Sequence, residues 1–221
     1  MNKNLMYSFK FNESTSMMNM NKLNDKMLMI MMMIIMSIMV VMMTKKSMLN
    51  KSMNENHIME TMWTIFPSFI ILIMSAISIP ILYTNNEMKM TSITIKIMGN
   101  QWFWSYEYTN FDIKFNSYMM YKKKFNFNIL ETDNKMVIPF NTPLMLIMSS
   151  MDVIHSWCMP SLNIKMDSIP GQMNSIKTKS NKIGVSWGQC SEICGTNHSF
   201  MPVMMETVTM KEFIKWVNKN K

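Results

Sequence analysis

The sequence contains no arginine and one alanine, and only five of its 221 residues are glycine, three are cysteine and three are histidine. Methionine, by contrast, occurs 35 times. An extremely A+T-rich gene would give this bias if AUA were read as methionine, as in animal mitochondrial codes. The composition therefore indicates an organelle-encoded protein. A methionine-rich metal-scavenging protein would instead carry Met-x-Met runs in soluble loops, whereas here the densest methionine lies in an apolar stretch.

The charge is strongly positive but unevenly distributed. Lysines outnumber acidic residues by 22 to 14, which gives a formal net charge of +8. Residues 91–208 are near balance, with ten lysines and eight acids, while residues 1–61 and 209–221 carry most of the excess. Because no basic face is concentrated in one folded part, the charge does not favour nucleic-acid binding, and we predict no nucleic-acid partner.

Two uncharged stretches are typical of membrane spans. Residues 27–43 hold seventeen uncharged residues, at the lower limit for crossing a bilayer, and residues 62–83 hold twenty-two. Trp63 and Tyr83 lie near the ends of the second stretch, where interfacial aromatics belong. We predict an N-terminal segment over 1–26 and a two-helix transmembrane hairpin over 27–83 in a lipid bilayer.

A hairpin places the N-terminus and everything after Tyr83 on the same side of the membrane. A cleaved secretory signal is the alternative for the first span, but a long polar segment precedes that span and a second span follows it. Lysines flank the first span on both sides, so charge bias does not decide the orientation.

After residue 90 the pattern changes to short alternating runs separated by Asn, Asp, Pro and Gly. The runs are "SITIKI", "KFNFNI", "KMVIPF", "LMLIMSS" and "MMETVTM". This pattern is typical of an all-β sandwich or barrel and not of βαβ units. We predict the all-β domain over 91–208. Thr209 and Glu212 have the spacing of a capping box, so a short C-terminal helix and tail are predicted over 209–221.

Soft metal donors cluster late in the chain. Cys190 and Cys194 are four residues apart, His198 follows four residues later and Met201 three beyond that. The stretch has little helical character and is predicted to be a loop between strands. Thiolates and imidazole select copper or zinc over hard cations, and His155 would supply a further donor from another strand. Copper, zinc and a Cys190–Cys194 disulfide remain open on spacing alone.

Four motifs resemble subunit II of mitochondrial cytochrome c oxidases. They are "METMWTIFPSFIIL", "GNQWFWSYEYTNF", "HSWCMPSLNIKMDSIPGQMN" and "GQCSEICGTNHSFMPVMMETV". The resemblance covers nearly the whole chain and implies a cupredoxin-like sandwich that holds a dinuclear copper A centre. By matching positions, it implies that Cys190 and Cys194 bridge both coppers, and that His155 and Met201 complete one of them.

The same resemblance assigns the second copper and a further metal. His198 and the backbone carbonyl of Glu192 would complete the other copper. The Glu192 side chain would bind a magnesium shared with subunit I, whereas without the resemblance it is only a solvated acid.

Roles in proton and electron transfer are also implied by the resemblance. Glu60 matches an acid at the entrance of a proton path into subunit I, with a simple membrane-boundary carboxylate as the alternative. Trp102 matches the tryptophan at which electrons enter, although the run around it is also compatible with core aromatics on a strand. Glu107, Asp133 and Asp152 fall at acidic positions of the cytochrome c docking region.

The implied function is electron transfer within a cytochrome c oxidase. The chain would accept electrons from reduced cytochrome c and pass them to haem in subunit I, where oxygen is reduced to water with coupled proton pumping. Subunits I and III would be partners, and the location would be the mitochondrial inner membrane with the C-terminal domain in the intermembrane space. The alternatives are a membrane-anchored copper carrier and the copper-free subunit II of a quinol oxidase.

Several positions depart from the family pattern without removing an implied ligand. Asn100 replaces the usual His, Gln172 replaces a common Arg, Trp187 replaces Tyr, and Asn110 replaces a frequent Asp. Cys158, three residues after the implied ligand histidine, is also unusual. We expect it to be a small buried filler, because free cysteine is usually buried.

Overall fold

The computed structural model of the protein describes residues 13–44, 56–86, 90–121 and 128–221. The chain divides into two compact units. One is Met18–Glu87, and the other combines Met1–Met17 with Met88–Lys221.

The first unit consists mainly of two long helices. Helix α1 spans Thr15–Thr44 and α2 spans His57–Asn86, each with 30 residues. At 1.5 Å per residue, each helix is about 45 Å long, whereas the hydrocarbon core of a bilayer is about 30 Å thick. Both helices are apolar enough to cross a membrane, and most of their large apolar side chains are exposed. The two predicted spans are therefore helical, while the hairpin topology stays a prediction.

Helix α1 begins well before the predicted span that starts at Met27. The Ser14 hydroxyl accepts a hydrogen bond from the Met17 backbone N–H at 3.0 Å, which is a helix N-cap interaction. The helix from Thr15 onward contains neither glycine nor proline, so nothing in the polar segment interrupts it. The polar residues 15–26 are therefore helical, and residues 1–12 lie outside the described part.

The second unit is a β-sandwich followed by a short helix. Within the described residues its strands are β1 (Ile93–Asn100), β2 (Phe103–Tyr108), β3 (Ile113–Ser117), β4 (Met136–Pro139), β5 (Leu144–Ser150), β6 (His155–Met159), β7 (Ile164–Ser168), β8 (Asn174–Thr178), β9 (Gly184–Gln189) and β10 (Pro202–Val208). One sheet has the order β3-β2-β1-β5-β8, a second has the order β4-β10-β9, and β6 pairs with β7. The pairs β1/β5 and β4/β10 are parallel, and the others are antiparallel. The prediction of an all-β domain is confirmed.

The core is built from alternate residues of the strands. On β1 the buried residues are Ile93, Ile95 and Ile97, and on β2 they are the aromatic residues Trp104, Tyr106 and Tyr108. Successive side chains in a strand point to opposite faces, so the period-two pattern of the sequence becomes one apolar face. Of the five predicted runs, "KFNFNI" differs: residues 124–127 lie outside the described part, and Asn128–Leu130 forms a 3-10 turn.

Helix α3 (Met210–Asn220) closes one end of the sandwich. Its capping box is confirmed, because Thr209 accepts from the Glu212 backbone N–H and the Glu212 carboxylate accepts from the Thr209 backbone. Phe213 is buried, with its ring centroid 6.5 Å from that of Tyr108 at the end of β2. Trp216 also packs on Tyr108, at 5.0 Å. β2 begins beside Trp102, so Trp102 lies at the opposite end of this strand from α3.

Residues just before α1 are anchored on the sandwich. The Glu13 backbone N–H donates to Ser161 O, and the Glu13 carbonyl accepts from the Asn181 backbone N–H. The buried Glu13 carboxylate accepts a hydrogen bond from the buried hydroxyl of Ser186 on β9. Ser14 donates to Leu162 O at 2.7 Å. The sequence alone did not predict this contact.

Candidate metal centre

His155 is the first residue of β6 and has no solvent exposure. Its Nε2 hydrogen-bonds Asp152 Oδ1 at 2.8 Å, and its Nδ1 has no hydrogen-bond partner within the described residues. A side chain on Gly99 of β1 would collide with the ring, because its Cβ would lie 2.7 Å from His155 Cδ2. Glycine at this position therefore makes room for a buried imidazole with one uncommitted nitrogen.

The loop between β9 and β10 carries the two predicted cysteine ligands. Cys190 and Cys194 are both buried, and their Sγ atoms are 3.9 Å apart. A disulfide has an S–S distance of about 2.05 Å, so both thiols are free. The predicted loop is confirmed, and the disulfide alternative does not describe this structure.

Three further donors lie in the same loop. His198 Nδ1 and Met201 Sδ are each 3.5 Å from Cys194 Sγ. The carbonyl oxygen of Glu192 lies 3.3 Å from Cys190 Sγ. The loop thus surrounds its two sulfurs with an imidazole, a thioether and a carbonyl.

The donor spacing fits metal ions. Metal–sulfur and metal–nitrogen bonds of about 2.0–2.3 Å at a tetrahedral angle place two donors of one ion about 3.3–3.8 Å apart. The donor atoms of His155, Cys190 and Cys194 all lie within 4.8 Å of one another. These three residues come from two separate segments and form a candidate site for a soft metal ion, which we call the metal cluster.

The two thiols of the metal cluster differ in acidity. Burial opposes ionisation of Cys190, but the nearby imidazole of His155 and the backbone of Ser156 and Glu192 outweigh burial and lower the pKa to about 7. Burial and the charge on Cys190 raise the pKa of Cys194 to about 12. Burial disfavours the His155 cation, yet the neighbouring Cys190 and Asp152 raise the pKa of His155 overall. One thiolate therefore forms readily, and the second requires a compensating positive charge such as a metal ion.

A close approach of two strands supports the site. A Cβ on Gly188 of β9 would lie 1.8 Å from the carbonyl oxygen of Cys158 on β6, so only glycine fits there. The Ser191 backbone N–H then donates to Ser156 O at 2.9 Å. These contacts fix the start of the cysteine loop against the strand that carries the histidine.

Trp102 lies beside the cysteine loop. The side chain is partly buried, and its Cζ2 would be 3.2 Å from a Cβ placed on Gly195, the residue after Cys194. The predicted residue is therefore next to the predicted ligand loop, although the two are distant in sequence.

The predicted docking acids have different surroundings. Asp152 contacts His155, and its side chain is 31% exposed. Asp133 is exposed, and its Oδ1 accepts hydrogen bonds from the backbone N–H groups of Tyr118 and Asn134, both at 2.7 Å. Asp152 reaches the metal cluster through its hydrogen bond with His155, whereas Asp133 bonds the backbone of Tyr118 and Asn134, so these acids do not share one environment.

Glu107 lies on β2, in register with two lysines. Its cross-strand neighbours are Lys96 on β1 and Lys114 on β3. Opposite charges on one face of a sheet attract each other, so this carboxylate is locally balanced.

Glu60 lies in the other unit, in the first turn of α2. Its carboxylate is 3.7 Å from Nδ1 of the exposed His57. The position agrees with the predicted mouth of the second span, and its role in proton transfer stays a prediction.

Asp152 and Gln101 contact residues of the candidate metal site, and the sequence predicted neither contact. Asp152 was predicted to dock a partner, but it also hydrogen-bonds the candidate ligand His155. Gln101 donates from Nε2 to the Cys194 carbonyl at 2.8 Å. The three-residue spacing of Asp152 and His155 was a usable signal, whereas nothing local in the sequence marks Gln101.

The departures from the family pattern have local structural partners. Asn110 Oδ1 accepts from the Thr94 backbone N–H at 2.8 Å, a bond that an aspartate would also make. Gln172 donates to Asn174 Oδ1 at 2.9 Å. Cys158 is partly buried, less than expected, and its strand alternation places it on the opposite face of β6 from His155.

Comparisons with known proteins agree with this geometry. The family model described as cytochrome c oxidase subunit II, periplasmic domain, matches residues 93–208, and that of the transmembrane domain of the same subunit matches residues 2–81. Cytochrome c oxidase subunit 2 of Apis mellifera ligustica is 45% identical over 96% of this chain and 97% of the relative. That of Apis florea is 49% identical over 77% of this chain and 79% of the relative.

A solved structure shows the same sandwich. The crystal structure of the periplasmic domain of subunit II of cytochrome oxidase of Bradyrhizobium japonicum is 39% identical in sequence, with a TM-score of 0.58. The match covers 61% of this chain and 96% of that domain. The β-sandwich therefore resembles the cupredoxin-like domain that the motifs implied.

Proposed function

Because the chain belongs to the cytochrome c oxidase subunit II family, we propose that its metal cluster holds a dinuclear copper A centre that accepts electrons from cytochrome c. As part of a haem-copper oxidase, the chain works in a complex with other oxidase subunits. The observation that carries the proposal is that the donor atoms of His155 on β6 and of two free thiols lie within 4.8 Å of one another. Three further donors of the cysteine loop lie 3.3–3.5 Å from those thiols.

The donor set favours copper over a single structural zinc. Zinc sites close with four ligands in a tetrahedron. Here Cys190 has the Glu192 carbonyl beside it, and Cys194 has both His198 and Met201 beside it, so the set is larger than one such site needs. In a dinuclear centre, Cys190 and Cys194 would both hold the two coppers.

The remaining donors would complete the coordination of the two metals. His155 and Met201 would hold one copper, and His198 with the Glu192 carbonyl would hold the other. Two coppers that share two thiolates would delocalise one electron, so that bond lengths change little when it is gained or lost. Ligands held on a strand and on a loop fixed to that strand supply the rigidity that this chemistry requires.

We assign the surrounding residues to the path of the electron and to the partners. Reduced cytochrome c docks through acidic residues and delivers its electron at Trp102. The electron passes onward to haem in subunit I, where oxygen is reduced to water with coupled proton pumping. Subunits I and III are the proposed partners, and the Glu192 side chain binds magnesium at the contact with subunit I. Glu60 serves the entrance of the proton path.

We place the protein in the mitochondrial inner membrane. The composition, the two apolar helices and the named insect relatives support this location. The sandwich then faces the intermembrane space, where cytochrome c is found, and the hairpin places the N-terminus on the same side.

The alternative functions make different predictions. A copper-free quinol-oxidase subunit would lack the metal-cluster residues, which are present here. A thioredoxin-like carrier would contain βαβ units, but the described residues after α2 form a sandwich.

The metal-to-protein ratio of the purified complex tests the proposal. We expect two coppers for each copy of this chain, above the copper of the other subunits, and an electron-paramagnetic-resonance signal shared by two equivalent coppers. One zinc for each chain, or no metal, would contradict it. Cys190→Ser in the same complex should remove both coppers, whereas Cys158→Ser, on the other face of β6, should retain them.

A further inference from the structure

Gln101 connects the two segments that carry the metal cluster. It lies in the turn between β1 and β2, and its backbone N–H donates to Asp152 Oδ2 at 2.7 Å. Its side-chain Nε2 donates to the Cys194 carbonyl at 2.8 Å. Asp152 in turn hydrogen-bonds His155. Gln101 is therefore connected to the histidine segment through its backbone and to the cysteine loop through its side chain.

The turn between β1 and β2, which holds Gln101 and Trp102, packs against the cysteine loop. Gly195 has φ of +126°, in the region that favours glycine, and a Cβ there would lie 3.1 Å from Gln101 Nε2 and 3.2 Å from Trp102 Cζ2. The amide and the indole are therefore packed directly on the backbone that follows Cys194. A side chain at position 195 would push them away.

The indole of Trp102 has no polar contact that locates it. Its Nε1 is buried and has no hydrogen-bond partner within the described residues. The position of the ring therefore depends on packing against Gly195 and the hydrophobic core. The bond that Gln101 makes to the Cys194 carbonyl fixes the neighbouring turn against the same loop.

We propose that Gln101 is a positioning residue that holds the Trp102 indole at a fixed distance and angle from the Cys194–Gly195 backbone, and so sets the rate of electron transfer between them. The inference rests on the proposed function of Trp102. The reaction is the transfer of one electron: cytochrome c loses it, the acceptor held by the metal cluster gains it, and no bond is made or broken. A misplacement of about 1 Å in a reacting pair can cost about 100-fold in rate.

The test uses the intact oxidase complex with Gln101→Met, which keeps the length of the side chain and removes the donor. Gln172→Met is the matched control, because Gln172 is also exposed and its side-chain amide donates to Asn174, two residues along the chain. Gln101→Lys restores a donor at the same position. Copper content, binding of cytochrome c, and the rate of electron transfer within the docked complex are measured for each variant.

A second measurement reports the position of the ring independently of activity. The chain is labelled with 5-fluorotryptophan, and the Trp102 resonance is assigned by its loss in Trp102→Phe. Spectra are recorded in the reduced, diamagnetic state. We expect Gln101→Met to retain copper and cytochrome c binding, to shift or broaden the Trp102 resonance, and to slow the transfer about tenfold or more. Gln101→Lys should recover part of the rate, and Gln172→Met should change neither quantity.

An unchanged rate or an unmoved Trp102 resonance in Gln101→Met would overturn the inference, as would loss of copper, which would show that Gln101 retains the metal instead. If Trp102→Phe leaves the transfer rate unchanged in a complex with full copper, the proposed role of Trp102 is wrong, and the inference about Gln101 is then wrong as well. A slow Trp102→Phe beside a normal Gln101→Met would overturn the inference alone and leave the proposed function standing.

Discussion

Asp152 Oδ1 lies 2.8 Å from Nε2 of His155, and the carboxylate of Asp152 also accepts hydrogen bonds from the backbone N–H groups of Gln101 and Val153. Burial opposes its charge, but these bonds outweigh burial and lower the pKa of Asp152. The ionised carboxylate fixes the proton of the imidazole on Nε2. Nδ1 is thereby left free to bind a metal.

We expect Asp152→Asn to weaken copper binding by about 10- to 100-fold, because outer partners of a metal-bound histidine contribute that much to affinity. Competition with a copper chelator measures the change. Asp133→Asn is the control, since Asp133 contacts Tyr118 and Asn134 and no candidate ligand. Equal copper affinity in the two variants would show that Asp152 does not contribute to metal binding through His155.

Asp133 and Glu107 should differ in their effect on docking. Asp133→Asn keeps an acceptor for the backbone but removes an exposed charge, so it should slow association with cytochrome c and reduce the dependence of the rate on salt. Glu107→Gln should have a smaller effect, because Lys96 and Lys114 lie well within the Debye length of about 8 Å. Stopped-flow rates over a salt series measure both, and a larger effect of Glu107→Gln would contradict this ranking.

Met201 and His198 lie at the same distance from Cys194 Sγ but should not be equivalent. A thioether is a weak axial ligand of copper and tunes its potential, whereas imidazole binds strongly. Met201→Leu should therefore retain copper with a changed reduction potential, and His198→Ala should lose or distort the centre. Metal analysis and redox titration separate these effects. Equal loss of copper would show that the ligands are ranked wrongly.

Glu13→Ala should destabilise the sandwich although residue 13 precedes the first span. The change leaves the Ser186 hydroxyl without its acceptor in a buried position, which costs about 1–3 kcal/mol. Chemical unfolding of the full chain in detergent, followed by tryptophan fluorescence, measures the loss. The double variant with Ser186→Ala should lose less than the sum of the two single variants, and strict additivity would argue against a direct interaction.

The capping box of α3 should make stability depend on pH. Hydrogen bonds from the side chain and backbone of Thr209 lower the pKa of Glu212 below its ordinary 4.5. Its contribution is therefore present above about pH 4.5 and lost as the pH falls through the lowered value. Thr209→Ala should cost about 1 kcal/mol at pH 7, and Thr209→Ser should cost little.

Melting temperatures of the protein and of Glu212→Ala should differ at neutral pH and converge in acid. The difference is read between two proteins at the same pH, so general acid effects cancel. A difference that persists unchanged at pH 3 would show that the charge of Glu212 is not involved.

Features that depend on neighbouring residues could be predicted from local sequence. The uncharged stretches predicted two helices, alternation predicted the buried face of β1, and the Thr209–Glu212 spacing predicted the cap of α3. The cluster of Cys190, Cys194 and His198 also indicated a soft-metal loop. Each of these signals lies within one segment of the chain, where helix or strand geometry converts spacing directly into position.

Folding of the whole domain determines which distant segments meet. It brought His155 to the cysteine loop, bonded Gln101 to the Cys194 carbonyl, and fixed Glu13 on Ser186. The choice among such contacts depends on the packing of whole strands and on satisfying buried polar groups across the sandwich. No local pattern encodes it, because the residues that meet are separated by up to 173 positions.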